Sequence, residues 1–479
     1  MTARMARRRF LQAGAATAVG LGWAARLPGD EPAPRGTGER LTEPAREIPV
    51  VESADVVVCG GGPAGVAAAI AAARTGASVR LIENHGQLGG IWTTGLLSWI
   101  IDAGNKGGVM EQMVERLNAR GVLLGVTPWN RRGSMPYDVE QMKLVLEQWC
   151  LEAGIKIRLH TRVVGTVKDD RRVTHCITES KSGREAFAAR AFVDCTGDGD
   201  LAALAGCGFD WGRPAEGPGA LGADRVGETQ PFSLMMLITG IDPVATADYY
   251  ERAGRTWAAP KDALLAQFQR AGLVSSYGNP TVFKIHDDLY AWMINHEYGA
   301  RGIDAQEVTD ATLRARAELH TLVDALRSLG EPWKNIKIVA TAAQIGVREG
   351  RRIHGRYTVS VDDMLDGVKH QDAVCRVTFG LDVHSTSKQH STGIERPSVK
   401  RSTQPYDIPL RALIAQNADG LLMAGRCISG DFLAHSSYRV TGNSVALGEA
   451  AGTTAALAAR QQCLPHEVKW EDLAATFAN

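Results

Sequence analysis

The sequence of 479 residues has no excess of charge of either sign, because 53 lysine and arginine residues balance 53 aspartate and glutamate residues. A balanced chain has no field of one sign with which to attract a polyanion, so we expect no nucleic-acid partner. Its eight cysteines form no CxxC pair and no Cys/His cluster, so no metal site is predicted, although a disulfide is not excluded.

The N-terminal apolar run, Ala13 to Ala25, is too short for a membrane span, which needs roughly 20 residues. It follows two arginines, Arg7 and Arg8, and then Phe10 and Leu11, and this order resembles a twin-arginine export signal. We therefore expect residues 1–27 to be a signal peptide, the protein to be periplasmic or secreted, and the mature chain to have no transmembrane segment. The alternative is a basic, disordered start. Residues 28–52, rich in proline and charge, are predicted to be a linker.

A dinucleotide-binding pattern begins at residue 53. A buried-type strand, Val56 to Cys59, leads into a glycine turn and a small-residue helix that ends at Arg74, and a second strand, Val79 to Ile82, follows. The residues expected to meet a dinucleotide are Gly60, Gly62, Pro63, Ala64, Gly65 and Glu83. Glycines at these spacings allow a tight turn and a close approach of the backbone to a pyrophosphate, while the helix N-terminus offers free N–H groups. The carboxylate of Glu83, at the end of the second strand, is suited to accept hydrogen bonds from ribose hydroxyls.

Two later stretches indicate which dinucleotide binds. Gly89 and Gly90 follow Glu83 closely and resemble the flavoprotein pattern in which the chain folds back over the pyrophosphate. A strand ending in Cys195-Thr196-Gly197-Asp198 resembles the second FAD contact of these proteins, in which Val163 would meet the adenine through backbone atoms. Asp198 and Asp200 could instead be helix N-capping residues, and the two roles are compatible.

These motifs, together with "IGVREGRRIHGRYTVSVDDML", "YDIPLRALI" and "LLMAGRCISG", resemble the FAD-dependent oxidoreductases related to the fumarate reductase and succinate dehydrogenase flavoproteins. The resemblance implies an α/β fold: a Rossmann-like FAD-binding domain of the GR2 type, interrupted by an α+β substrate or cap domain. The implied ranges are 53–209 and 405–479 for the FAD-binding domain and 210–404 for the cap. FAD is the implied cofactor.

The C-terminal part carries the candidate substrate residues. A strand from Leu421 to Ala424 ends in Gly425 and Arg426, which return the chain to the nucleotide domain. In "AHSSYRVTGNSVALGEAAG", the resemblance implies that His435 and Arg439 face substrate. It also implies that Gly442, Asn443 and Ser444 open a helix against the flavin. The alternative is structural: Arg439 would pair with a buried carboxylate and His435 would cap a loop.

The sequence also departs from these relatives. No residue matches the arginine that donates a proton in the fumarate reductases, and His85 precedes Gly89 by four residues, a different spacing from that of the covalent-flavin histidine. The spacing therefore disfavours covalent attachment at His85, and a dicarboxylate is only one substrate among several.

The middle region is expected to cap the flavin and shape the substrate pocket. Asp382 and His384 alternate at a strand end, and we hypothesise that His384 is a proton shuttle, with a solvent-facing histidine as the alternative. Three arginines, Arg348, Arg351 and Arg352, are predicted to serve domain packing. The helical stripe of Leu313, Leu319 and Leu322 is predicted to be core or interface.

The sequence therefore predicts an exported FAD-dependent oxidoreductase that takes a hydride from an alcohol, sugar, amine or carboxylate and is re-oxidised by an unknown electron acceptor. Two other classes stay open: a redox-neutral flavin-dependent lyase or isomerase, and a binding protein that retains the fold without turnover.

Overall fold

The computed structural model describes residues 40–122, 133–250, 255–395 and 401–477. The predicted signal peptide, residues 1–27, and the first part of the predicted linker lie outside these residues. None of the described helices is long and apolar enough to cross a lipid bilayer.

The regular elements alternate along the chain. The strands are β1 (Val50–Cys59), β2 (Val79–Ile82), β3 (Trp99–Ile100), β4 (Met135–Pro136), β5 (Lys156–Arg158), β6 (Arg162–Asp169), β7 (Arg172–Ser180), β8 (Gly183–Asp194), β9 (Phe209–Asp210), β10 (Met236–Thr239), β11 (Thr281–His286), β12 (Leu289–Met293), β13 (Lys337–Thr341), β14 (Arg352–Ile353), β15 (Ala373–Val377), β16 (Val383–His384), β17 (Ile394–Glu395), β18 (Tyr406–Pro409) and β19 (Leu421–Met423). The helices are α1 (Pro63–Arg74), α2 (Gly108–Ala119), α3 (Val139–Glu152), α4 (Asp200–Leu204), α5 (Ala259–Arg270), α6 (Ala305–Ser328), α7 (Val361–Asp366), α8 (Phe432–Tyr438), α9 (Thr441–Gln461) and α10 (Trp470–Phe477).

A seven-stranded sheet forms the centre of the fold. Its order is β5-β2-β1-β8-β7-β6, and β19 pairs with the last part of β8. The strands β5, β2, β1, β8 and β19 are parallel, whereas β7 pairs antiparallel with β8 and β6 pairs antiparallel with β7. The chain thus returns to its first domain through β19, as the sequence predicts, and the carboxyl ends of the parallel strands meet at one edge.

The helices α1 and α9 pack closely against each other beside this sheet. Gly448 and Gly452 of α9 lie against the carbonyl groups of Ala64 and Ala68 in α1, and a methyl group at either glycine would overlap those carbonyls. The small-residue composition of both helices allows this approach, because a larger side chain would separate the two backbones. At the α9 N-terminus, a methyl group at Gly442 would overlap the carbonyl groups of Ile101 and Asp102.

A second, antiparallel sheet, β11-β12-β10-β13, lies within the predicted middle region. The long helix α6 belongs to the same region. It buries side chains at three- and four-residue spacing, namely Ala311, Ala315, Leu319, Leu322 and Leu326. Leu313 falls off this stripe and is 58% exposed, so its predicted place in the core is wrong. It lies two positions from Ala311 and Ala315, which turns it to the opposite side of the helix.

One boundary differs from the one expected. β1 begins at Val50, six residues before the predicted Val56, because its pairing with β8 continues back to Ala186. All eight cysteines lie in described residues and are free; seven of them are buried.

Candidate functional site

The turn between β1 and α1 presents bare backbone to a cavity. Gly60 has a φ of 98°, and a Cβ there would overlap the Cys195 carbonyl, while a Cβ at Gly65 would overlap the Gly60 carbonyl. No atom lies within 4 Å of a Cβ built on Gly62, which lines the cavity. Gly60 and Gly65 are therefore required by packing, whereas the space in front of Gly62 is available to a ligand.

This cavity, of about 470 Å³, brings most of the predicted site residues together. Its lining includes the predicted residues Gly60, Gly62, Pro63, Ala64, Glu83, Gly90, Val163, Gly197, Asp198, Gly425, Arg426, Ser444, Arg439 and His384. Most of them come from the carboxyl end of the parallel strands and from the start of α9, which is the edge where open α/β sheets bind ligands. His384 lies in β16, and Arg439 lies at the end of α8. Residues as far apart in the sequence as Gly60 and Ser444 thus share one wall.

Glu83 lies at the end of β2 as predicted and already holds the glycine turn. Its Oε2 accepts a hydrogen bond from the Gly61 N–H at 2.6 Å, and its Oε1 accepts from the His85 N–H at 2.7 Å. The His85 ring nitrogen Nδ1 is 2.8 Å from the same Oε1. A carboxylate oxygen has two lone pairs, so Glu83 keeps capacity for ligand hydroxyls while it shapes the turn.

The loop after β8 is fixed by acidic groups and arginines. Asp198 Oδ1 accepts a hydrogen bond from Arg426 at 2.8 Å, and Asp200 pairs with Arg351 at 3.0 Å. Neither carboxylate caps α4, whose N-cap is Gly199 without a side-chain bond. The ion pair of Asp198 with Arg426 therefore joins the loop after β8 to the loop after β19 along the cavity wall.

A charged cluster built around His384 forms another part of the same wall. His384 is only 4% exposed, so the alternative of a solvent-facing side chain is wrong. Its Nε2 lies 3.4 Å from Asp382 Oδ2, and Arg439 donates to that same carboxylate at 3.2 Å. The backbone N–H of His384 donates to Gln230 Oε1 at 3.1 Å.

The electrostatics of this cluster fix its protonation states. Burial pushes the pKa of Asp382 upward, but His384, Arg439 and Arg348 outweigh that effect and hold it below the usual range, so the carboxyl is ionised. Burial and the Arg348 cation lower the pKa of His384 to about 4, so its imidazole is neutral at pH 7. Burial and the neighbouring Arg439 lower the pKa of Arg348 to about 10, and it stays charged.

His435 does not reach the cavity. Its side chain is fully buried in α8, its ring meets Tyr438 edge-on at 5.4 Å, and neither ring nitrogen makes a hydrogen bond of normal geometry. Burial holds its pKa well below the usual value. Arg439 follows at the end of α8 and turns to the cavity, so the structure separates two residues that the motif placed together.

Three other predicted cofactor residues do not line the cavity but make contacts beside its wall. Gly442 donates to the Ile101 carbonyl at 2.8 Å and leaves no room for a side chain there. Asn443 is buried, with Cys375 Sγ 3.7 Å from its Oδ1. Gly89 donates to the Gly61 carbonyl at 2.8 Å. Only Ser444 of the Gly-Asn-Ser motif lines the cavity.

Three residues that line the cavity or lie next to its wall were not predicted from the sequence. Arg348, which was assigned to domain packing, lines the cavity and donates to the Pro231 carbonyl at 2.7 Å. Arg351 and Arg352 do hold elements together, as predicted. His296 and Tyr298 follow β12; His296 contacts His384, and Tyr298 contacts His296. In the sequence, only their alternation in "INHEYG" indicated that the two side chains lie on the same side of an extended segment.

The residues present fit FAD. Open space in front of Gly62 suits a pyrophosphate at the start of α1, and Glu83 and Val163 lie where the resemblance expects the adenosine. The start of α9 adds a second helix N-terminus at the cavity, through Thr441 and Ser444. A cavity of this size falls within the range of cofactor sites.

Comparison with known proteins agrees with this fit. A family profile described as FAD dependent oxidoreductase matches residues 55–477. Comparison with curated protein sequences gives no significant match.

Several solved structures resemble the chain at low identity. A geranylgeranyl bacteriochlorophyll reductase-like protein of Thermoplasma acidophilum is 12% identical over 86% of this chain and 78% of that chain, with a TM-score of 0.44. The myxobacterial chondrochloren halogenase CndH is 13% identical over 89% and 78%, with a TM-score of 0.46. The OxyS anhydrotetracycline hydroxylase of Streptomyces rimosus is 14% identical over 89% and 65%, with a TM-score of 0.45.

Proposed function

Because the chain belongs to the FAD-dependent oxidoreductase family, with FAD as its cofactor, we propose that it oxidises a small organic substrate in the cavity described above. Bound FAD would supply the acceptor for a hydride. One observation carries the proposal: Asp382, His384, Arg439 and Arg348 line the same cavity as the open face of Gly62. The protein's own side chains must then hold the substrate and take its proton.

His384 is the group suited to take that proton. Its imidazole is neutral at pH 7, since burial and the Arg348 cation hold its pKa at about 4. At 3.4 Å, the hydrogen bond between its Nε2 and Asp382 Oδ2 is weak. A substrate hydroxyl or amine that approaches both groups from the cavity would meet two acceptors, and the ionised Asp382 would stabilise the imidazolium formed.

Arg348 and Arg439 indicate which other chemical group the substrate carries. Arg348 and Arg439 carry two positive charges against the single carboxylate of Asp382, so this part of the wall has a net positive charge. Arg439 Nε and Gln230 Nε2 are buried donors without a hydrogen-bond partner in the described structure. Such donors favour a substrate that brings an acceptor oxygen, such as a carboxylate, beside its hydroxyl or amine.

We further propose export by the twin-arginine route, on the strength of Arg7, Arg8 and the apolar run that follows. This route carries folded proteins, which suits a cofactor inserted before transit. The electron acceptor that re-oxidises the cofactor would then be outside the cytoplasm.

The test is anaerobic mixing of the FAD-loaded protein with a panel of alcohols, sugars, amines and carboxylic acids while the flavin absorbance is followed. The proposal expects bleaching with at least one compound that carries both an O–H or N–H group and an acceptor oxygen, and recovery of colour with an added electron acceptor. A panel member converted with no bleaching at any stage would indicate a lyase or isomerase instead.

A further inference from the structure

A row of hydrogen-bonding groups leads from the cavity wall to a half-buried tyrosine. The His384 ring contacts Asp382 at 3.4 Å through Nε2 and His296 Nε2 at 3.2 Å through Nδ1. The other ring nitrogen of His296, Nδ1, lies 3.2 Å from the Tyr298 hydroxyl, which in turn donates to the Ser276 carbonyl at 3.2 Å. Tyr277 stacks on the His296 ring at 3.9 Å and holds it in place.

Both ends of this row can only accept hydrogen bonds. The Asp382 carboxyl is ionised, because His384, Arg439 and Arg348 together outweigh the effect of burial on its pKa. The Ser276 group is a backbone carbonyl. The three members between them can each donate one proton and accept another: a neutral imidazole carries one N–H, and a tyrosine carries one O–H. Burial holds the pKa of both histidines below the usual value, so both are neutral at pH 7.

The row is therefore one proton short. It has four contacts, namely Asp382–His384, His384–His296, His296–Tyr298 and Tyr298–Ser276, but His384, His296 and Tyr298 bring only one proton each. One contact must always lack its proton. When the Asp382 contact lacks it, His384 Nε2 has a free lone pair at the cavity; when the Ser276 contact lacks it, the carbonyl is unpaired.

We propose that His384, His296 and Tyr298 form a proton relay between the cavity and the protein surface. A proton leaving a substrate O–H or N–H binds His384 Nε2, and the Nδ1 proton of His384 moves to His296 Nε2. The Nδ1 proton of His296 moves to the Tyr298 oxygen, and the original hydroxyl proton of Tyr298 passes to solvent water. One proton enters and one leaves, so the row keeps its charge while the missing proton shifts from the Asp382 contact to the Ser276 contact.

The surroundings favour passing the proton on. Arg348 and Arg439 both lie close enough to the two histidines to disfavour a lasting imidazolium. Tyr298 is half-buried and so has access to water, whereas His296 is 2% exposed. His296 and Tyr298 are thus positioning residues that act through His384 on the proposed reaction.

The test reads the tautomers directly and needs no substrate. Protein loaded with FAD and ¹⁵N-labelled in histidine is studied by NMR at pH 7, where a protonated and an unprotonated ring nitrogen of a neutral imidazole have different shifts. Signals are assigned by their loss in His296→Gln and His384→Gln. For wild type, we expect averaged shifts at both nitrogens of both rings, because the missing proton moves among the contacts.

Tyr298→Phe removes two contacts and one proton, which leaves two contacts for two protons. Both histidines should then become fixed as Nε2–H tautomers. The control is Tyr357→Phe, in which a half-buried hydroxyl that donates to Asp363 at 2.8 Å is lost away from the cavity; its spectrum should match wild type. Either histidine held as a single tautomer in wild type would overturn the relay.

The relay rests on the proposed function, but the two can fail separately. With a bleaching substrate in hand, Tyr298→Phe should slow flavin reduction at least about tenfold. A wild-type rate in that variant, with His384→Gln impaired, would remove the relay and leave the function standing. A wild-type rate in His384→Gln would remove the function itself.

Discussion

At the residue scale, the cavity wall consists of positions that must be glycine for different reasons. Gly60 and Gly65 are pressed against neighbouring carbonyls, so a side chain at either disturbs the fold. Gly62 faces open space within the cavity, so a side chain there disturbs only what enters. The two kinds of glycine should respond differently to substitution.

Gly62→Ala should therefore leave the free energy of unfolding nearly unchanged and weaken FAD binding by roughly tenfold or more, about 1.4 kcal/mol. Its methyl group occupies the space that the pyrophosphate approaches. Equilibrium titration of the FAD-free protein with FAD measures the affinity. Gly165→Ala is the control, because its methyl would make only ordinary contact with Ile177, outside the cavity. Equal FAD affinity in both variants would contradict the assignment of this space.

The fingerprint glycines could be predicted because strand, turn and helix are contiguous in sequence. Arg348 and His296 could not: Arg348 lies between β13 and β14 and His296 follows β12, and only the antiparallel sheet and its loops bring them to His384. His435 shows the converse failure. The motif places it four residues before Arg439, but only Arg439, at the end of α8, lines the cavity, and His435 is fully buried.

At the element scale, the packing of α9 on α1 links the C-terminal segment to the FAD-binding turn. Gly448 and Gly452 lie directly against the Ala64 and Ala68 carbonyls, which belong to the helix whose first turn forms the cavity wall. The spacing of α9 from the sheet, and hence the place of Ser444 and Arg439, depends on this contact.

Gly452→Ala should destabilise the protein by about 1–3 kcal/mol, the usual range for overpacking. The sign is informative, because the same substitution at an exposed helix position stabilises by up to about 1 kcal/mol. Urea unfolding followed by circular dichroism measures the effect. An unchanged or increased stability would mean that α1 and α9 are not in backbone contact.

At the scale of the whole molecule, three buried neutral histidines make stability depend on pH. Burial is the main cause that lowers the pKa of His296, His384 and His435. Their folded-state pKa values lie below the unfolded value of about 6.5, so the unfolded chain takes up protons first as the pH falls. The contribution of these neutral histidines to the free energy of unfolding is therefore complete above about pH 6.5 and is lost as the pH falls below that value.

His435→Leu isolates one of these contributions outside the cavity. Between pH 6 and 5, wild type should lose about 1.4 kcal/mol of unfolding free energy per pH unit more than this variant. Carboxylates affect both proteins alike, so the difference between the two urea curves is the measure. Parallel losses in the two proteins would show that His435 is not buried as a neutral group.

Export concerns the chain as a whole, and its signal lies outside the described residues. Replacing Arg7 and Arg8 by lysine should retain the protein in the cytoplasm with FAD bound, since the twin-arginine route depends on that pair. Cell fractionation with a cytoplasmic marker protein measures the distribution. Undiminished export of the lysine variant would show that this segment is not a twin-arginine signal.

The central claim is that His384 takes the substrate's proton beside bound FAD, and single-turnover flavin reduction tests it most directly. Wild type and His384→Gln, with equal FAD content, are mixed anaerobically with the best substrate of the panel from pH 5 to 9. We expect the variant to be slower by roughly a hundredfold or more. Wild-type reduction should be fast at pH 7 and fall as the pH approaches the His384 pKa of about 4. Equal rates in the two proteins across this range would contradict the account.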